Sequence, residues 1–123
     1  MSFYEIRDRD SRRLDDSLEE LAHSVIGAAI EVHRHLGAGL PENSYRDALS
    51  HEFDLRAIPH QREFPVDILY KNKCVGRGRI DLLVGGKLIV ELKVVEQISA
   101  LHRAQVISYL KITTLQLALL INF

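Results

Sequence analysis

An α/β fold with a mixed β-sheet flanked by helices is the architecture this chain predicts, in the order helix, helix, three strands, helix, strand. Three observations carry it. Apolar residues recur at helical spacing through the first third of the chain. From about Gln61 the pattern changes to short alternating or apolar runs bounded by turn residues. A second helical stretch then precedes a last apolar run.

Residues 1 to 13 alternate charges and read as an arm, mobile at its start, ahead of a single domain over 14–123. Ser17-Leu18-Glu19-Glu20 fits a capping box, with Ser17 as N-cap and Glu20 as its reciprocal partner. Leu18, Leu21, Ala22, Val25, Ile26, Ala29, Val32 and Leu36 then trace one helical face, and Gly37-Ala38-Gly39 stops the helix. Pro41 opens a second helix, where its missing N–H costs little. Tyr45, Leu49 and Phe53 mark that helix's buried stripe, which runs to about Arg56. Phe64, Val66 and Ile68 alternate as a strand, and Lys71-Asn72-Lys73 turns the chain. Strands over about 75–84 and 88–95 follow, then a helix over about 100–111 and a buried strand from Leu115 to Ile121. The strand meander gives antiparallel pairs, and the helical crossover allows a parallel one.

The chain has 123 residues, 46% hydrophobic and 27% charged, which suits one globular domain with one core. A formal net charge of −1 excludes a global basic footprint, so any nucleic-acid contact must be local. The single Cys74 excludes an internal disulfide and a cysteine-rich zinc site, and fits a reducing cytoplasm. The charged N-terminus has no apolar core of a signal peptide, and no apolar run reaches membrane-spanning length.

The most informative segment is Leu88-Ile89-Val90-Glu91-Leu92-Lys93-Val94, an apolar strand carrying two charges, with Asp81 on the apolar run before it. Unpaired charges in such surroundings are costly, so these groups should converge on something. Strand alternation puts Glu91 and Lys93 on one face. A two-residue Gly85-Gly86 loop would leave Asp81 and Glu91 on opposite faces. An odd loop, Gly85-Gly86-Lys87 with a bulge, pairs Asp81 directly with Glu91, and is the expected register. Two carboxylates then suit a hard divalent cation, and the lysine suits a water attacking a phosphodiester. A salt-bridged surface stripe is the plainer alternative.

Further residues weigh on that choice. Glu42 shares a helical face with Tyr45 and Leu49, and either caps the helix dipole or points into a site. Gln105 and Tyr109 stack four apart on the later helix, as phosphate- or base-positioning groups or as an ordinary amphipathic edge. Arg77 and Arg79 alternate with Gly76 and Gly78 on the strand of Asp81, either to clamp phosphates or to pair with neighbouring acids. His33 and His35 project to different sides of a helix, and His23, His51, His60 and His102 show no zinc spacing.

Asp81, nine intervening residues, then Glu91-Leu92-Lys93 resembles the core signature of the PD-(D/E)XK nuclease superfamily. Gln105-Val106-Ile107-Ser108-Tyr109 resembles the Gln-x-x-x-Tyr motif of several of its exonuclease branches. Gly39-Leu40-Pro41-Glu42-Asn43-Ser44-Tyr45 resembles the motif of the bacterial and archaeal GxxExxY proteins within it. The resemblance spans roughly residues 18 to 123. It implies a restriction-endonuclease-like core and Mg²⁺- or Mn²⁺-dependent cleavage of nucleic acid, with DNA favoured. It makes Asp81, Glu91 and the Leu92 carbonyl metal ligands, with Glu42 as the accessory acid and Lys93 as the residue positioning the water. Gln105, Tyr109, Tyr45, Arg77 and Arg79 become substrate contacts. Ile80 stands where the motif's proline would be, without consequence for the coordinating acid. One such site cuts one strand, so double-strand cleavage would call for a two-fold homodimer.

Overall fold

The computed structural model describes residues 1–8 and 14–123. Its elements are β1 (Ser2–Arg7), α1 (Asp16–Leu36), α2 (Glu42–Leu55), β2 (His60–Tyr70), β3 (Lys73–Val84), β4 (Leu88–Lys93), α3 (Ala100–Thr113) and β5 (Leu117–Asn122). They form one mixed sheet in the order β1-β5-β4-β3-β2. β4 and β5 run parallel, joined by the α3 crossover, and the other neighbours are antiparallel. This is the predicted α/β, restriction-endonuclease-like core. No helix among the described residues is long and apolar enough to cross a membrane.

The helices divide the core in two. On one face α1 and α2 bury Val25, Ala29, Leu49 and Phe53 against Leu82, Val90, Leu119 and Ile121. On the other, α3 packs Val106, Tyr109 and Leu110 against Ile80, Ile89 and Leu120. β4 and β5 are therefore buried along nearly their whole length and mostly apolar, as strands covered on both faces are. In such surroundings the charges of Glu91 and Lys93 in β4 are conspicuous.

Three sequence expectations need correction. Residues 2–7 are no mobile arm: they form β1, paired antiparallel along β5 from Ser2↔Asn122 to Arg7↔Leu117. Tyr4 and Ile6 pack with the α3-side core while Glu5 and Arg7 form a surface ion pair, and the Arg103 guanidinium lies 4.6 Å from the Tyr4 ring centroid. β1 thereby removes an exposed apolar edge from β5. The rest of the expected arm, residues 9–13, lies outside the described residues. Second, the α1 N-cap is Asp15, not Ser17. The Asp15 carboxylate accepts from Leu18 N at 2.7 Å and from Ser17 Oγ at 2.6 Å, which draws its pKa down. Third, Pro41 is the N-cap of α2 rather than its first residue.

Candidate active site

The Gly85-Gly86-Lys87 connection is the odd loop anticipated from the sequence. Both glycines take left-handed backbone (φ 60° and 69°), and the register is Val84↔Leu88, Leu83↔Ile89, Leu82↔Val90. The next position sets Asp81 opposite Glu91, and here the ladder stops. Side chains replace it: Asp81 N donates to Glu91 Oε1 at 3.0 Å, and Leu92 N donates to Asp81 Oδ2 at 2.8 Å. Each acid thus satisfies a backbone N–H beside the other, and both are buried.

Two buried carboxylates this close oppose each other's ionisation. Burial first, and the Asp81 charge second, push Glu91 up to about 8 from an ordinary 4.5. Glu42, half-buried at the start of α2, is also raised, by burial and then by Asp81, while Lys93, Arg46 and Arg79 pull it down. Glu42 therefore faces the field of the sheet acids. Lys93, at the end of β4, donates to Gln105 Oε1 at 3.4 Å. Its backbone carbonyl accepts from Phe123 N, and Asn122 clasps Val95 through both backbone groups, at 3.0 and 2.8 Å. The end of β4 is thereby held to β5, which keeps Lys93 in place.

Other predicted residues divide. Tyr109 is buried over Gly78, and its hydroxyl accepts from Arg79 N at 3.3 Å, so it supports β3 next to the acids. Gln105 is exposed beside Lys93. Arg77 pairs with Asp67 at 3.2 Å and Arg79 approaches Glu63 at 3.7 Å, so both arginines meet acids. Tyr45 lies on the buried stripe that its spacing predicts, which corrects the substrate contact that the resemblance implied for it. It is fully buried, donates to Gly37 O at 2.5 Å, accepts from Leu40 N and stacks on Phe123 at 4.6 Å. Its aromatic ring locks the α1–α2 loop and is not available to a substrate. His102 closes the α3 capping box with Ser99.

Two residues escaped sequence reasoning. Arg46 on α2, one turn beyond Glu42, is about nine-tenths buried. It donates to Asn43 at 2.6 Å and lies 3.7 Å from Asp81 Oδ1 and 3.4 Å from Glu63, with its Nε unpartnered. Glu63 interrupts β2 opposite Asp81 with φ 50°, a left-handed value uncommon within a strand. The i, i+4 relation of Arg46 to Glu42 was the available signal.

Among the described residues no group of three or more His, Cys, Asp or Glu side chains is assembled as a metal site. The local donor set is nevertheless oxygen-only: two facing carboxylates, with the Leu92 carbonyl between Glu91 and Lys93 in sequence. Such a set suits a hard divalent cation, which would also relieve the repulsion that keeps a proton on Glu91. A search of curated proteins finds no match to the chain, nor does a search of solved structures. The model of one family, the PD-(D/E)XK nuclease superfamily, matches residues 19–123, a span that contains all of these site residues. With its Asp81…Glu91-Leu92-Lys93 motif set where the β3–β4 ladder opens, the chain belongs to the PD-(D/E)XK nuclease superfamily.

Proposed function

We propose that this protein is a divalent-metal-dependent nuclease of the GxxExxY group, hydrolysing phosphodiester bonds in nucleic acid, with DNA the favoured substrate. The observation that carries the reading is the reciprocal Asp81–Glu91 pair at the end of the ladder, with Lys93 on the same strand as Glu91. Asp81, Glu91 and the Leu92 carbonyl would hold Mg²⁺ or Mn²⁺, with Glu42 as the accessory acid. The bound cation supplies Lewis-acid stabilisation of the phosphate and a more acidic water. Lys93 orients that water and offsets charge developing on the phosphate. Gln105 holds the Lys93 ammonium, and Arg77 and Arg79 exchange their acidic partners for phosphate when substrate arrives. A cytoplasmic setting, where the exposed Cys74 stays reduced, belongs to the same reading, as does a two-fold homodimer for double-strand cleavage.

A second reading has an observation of its own. Asp81 already has Arg46 as a counter-charge at 3.7 Å, so the fold can stand without a cation, as a nucleic-acid-binding or protein-interaction module would require. Lys93→Ala separates the two. Assayed with Mn²⁺ on single-stranded, double-stranded, branched and RNA substrates, the variant should lose about 10²-fold or more in rate, on the scale of removing one electrostatic catalytic group. Its metal affinity should hold or rise, because a nearby positive charge has gone. Wild-type protein that binds these substrates and cuts none of them would favour the module.

A further inference from the structure

The chain's charges are segregated. Residues 68–80 carry Lys71, Lys73, Arg77 and Arg79 and no acid, and residues 97–123 carry Arg103 and Lys111 and no acid. The fold brings these two segments together, since α3 packs across the β2–β3 hairpin with Tyr109 over Gly78. Two hollows lie along this junction. One, of about 560 Å³, is walled by Ile68, Arg77, Lys111 and Ile112. The other, of about 500 Å³, is walled by Lys93, Leu101 and His102. Both are bounded by Gln105 and Ser108, so they meet on the outer face of α3, and neither is lined by an acidic residue.

That outer face is unusual for a surface helix. Leu101 is 78% exposed, and Ile112 and Ile107 are also exposed, on a helix with no acidic residue. Arg103 turns away over Tyr4, which leaves Lys111 as the helix's contribution to the trough, and no acid among the described residues pairs with it. We propose that this trough is the track of a single nucleic-acid strand, running from Lys93 across α3 to the β2–β3 hairpin. Lys93 and Lys111 match the phosphates, joined by Arg77 when it exchanges Asp67, its partner at 3.2 Å, for phosphate, and the apolar floor matches the faces of unstacked bases. A duplex presents sugar and phosphate outward and keeps its base faces stacked, so Leu101 and Ile112 would have nothing to meet. Each hollow also falls in the size range of a site for one small ligand such as a nucleotide, roughly 300–1,000 Å³.

The inference rests on the nuclease reading only for the end of the track at Lys93, and binding can be read without cleavage. Fluorescence anisotropy in EDTA would compare a labelled 15-residue oligo(dT) with a 15-bp duplex. The single strand should bind more tightly. Lys111→Glu should weaken it about tenfold or more at low salt and flatten the salt dependence by about one unit of slope. Ile112→Ser, which removes apolar floor without changing the charge of the trough, should also weaken it, and unlike a charge change should leave the salt slope in place. Arg34→Glu, on exposed α1 away from the trough, should change it less than about twofold by the same electrostatic reasoning. Equal affinity for the duplex would overturn the proposal, as would unchanged oligo(dT) binding in both trough variants. Mn²⁺ titration and cleavage by the wild type are read separately. Metal-dependent cleavage with an indifferent trough would refute the track and leave the nuclease reading intact. Strand binding sensitive to Lys111 in a protein that never cuts would do the reverse.

Discussion

Glu91 gives the sharpest prediction, because its proton must leave before the carboxylate can serve a cation. Burial and the Asp81 charge hold Glu91 up to about 8, which favours its protonated form at neutral pH. At pH 6 only about one molecule in a hundred would carry the ionised form, so Mn²⁺ should bind about 100-fold more weakly there than above pH 8.5. Calorimetric titration at several pH values, in buffers of differing ionisation enthalpy, measures both the affinity and the protons released. Release should approach about one proton per ion at pH 6–7 and vanish above pH 9. Glu91→Gln should bind weakly at every pH and lose this dependence. The same shift sets the sign of stability in the metal-free protein. A carboxyl whose folded pKa is raised contributes stability that is fully present below 4.5 and is lost as pH rises through about 8. Thermal melts in EDTA should therefore decline between pH 5 and 9, and Glu91→Gln should level that decline. An affinity that stays flat from pH 6 to 8 in the wild type would refute the reasoning.

Glu42→Gln should fold normally and bind Mn²⁺ more weakly, because it removes a carboxyl within the field of Asp81. Unchanged affinity and activity would reduce Glu42 to a charge that offsets the α2 dipole. Arg46→Met leaves Asp81 and Glu63 without their shared guanidinium and should cost about 3 kcal/mol in chemical denaturation. It should also raise Mn²⁺ affinity by removing a competing positive charge. Gly78→Ala would bring a methyl within 2.8 Å of the Tyr109 ring and hydroxyl, and should cost roughly 1–3 kcal/mol of stability through overpacking. A wild-type melting temperature for that variant would show that Tyr109 does not hold the position described.

Most of the fold and the centre of the site were legible along the chain because they rest on local patterns. Period-2 and period-3.6 apolarity located α1 to α3 and β2 to β5, and the odd Gly85-Gly86-Lys87 loop, chosen over a two-residue one, is the one the register has. The charge-alternating N-terminus reads as an arm, yet residues 2–7 form β1 along the edge that β5 offers. A six-residue strand rich in charge has too little apolar surface to declare itself without that partner. Tyr45 shows the limit from the other side. Helical spacing placed it on the buried stripe of α2, but its stacking partner Phe123, 78 positions away in the sequence, is set against it only by the fold. Arg46 and Glu63 belong to the site for the same kind of reason. Glu63 has no sequence neighbour that reveals it and Arg46 only its spacing from Glu42; the packing of α2 on the sheet brings Arg46 to Asp81, and the β2–β3 pairing sets Glu63 opposite it. Local periodicity and turn length determine elements and register from sequence alone. The electrostatics of the site depend on burial and on charges brought together through space, and those the tertiary structure decides.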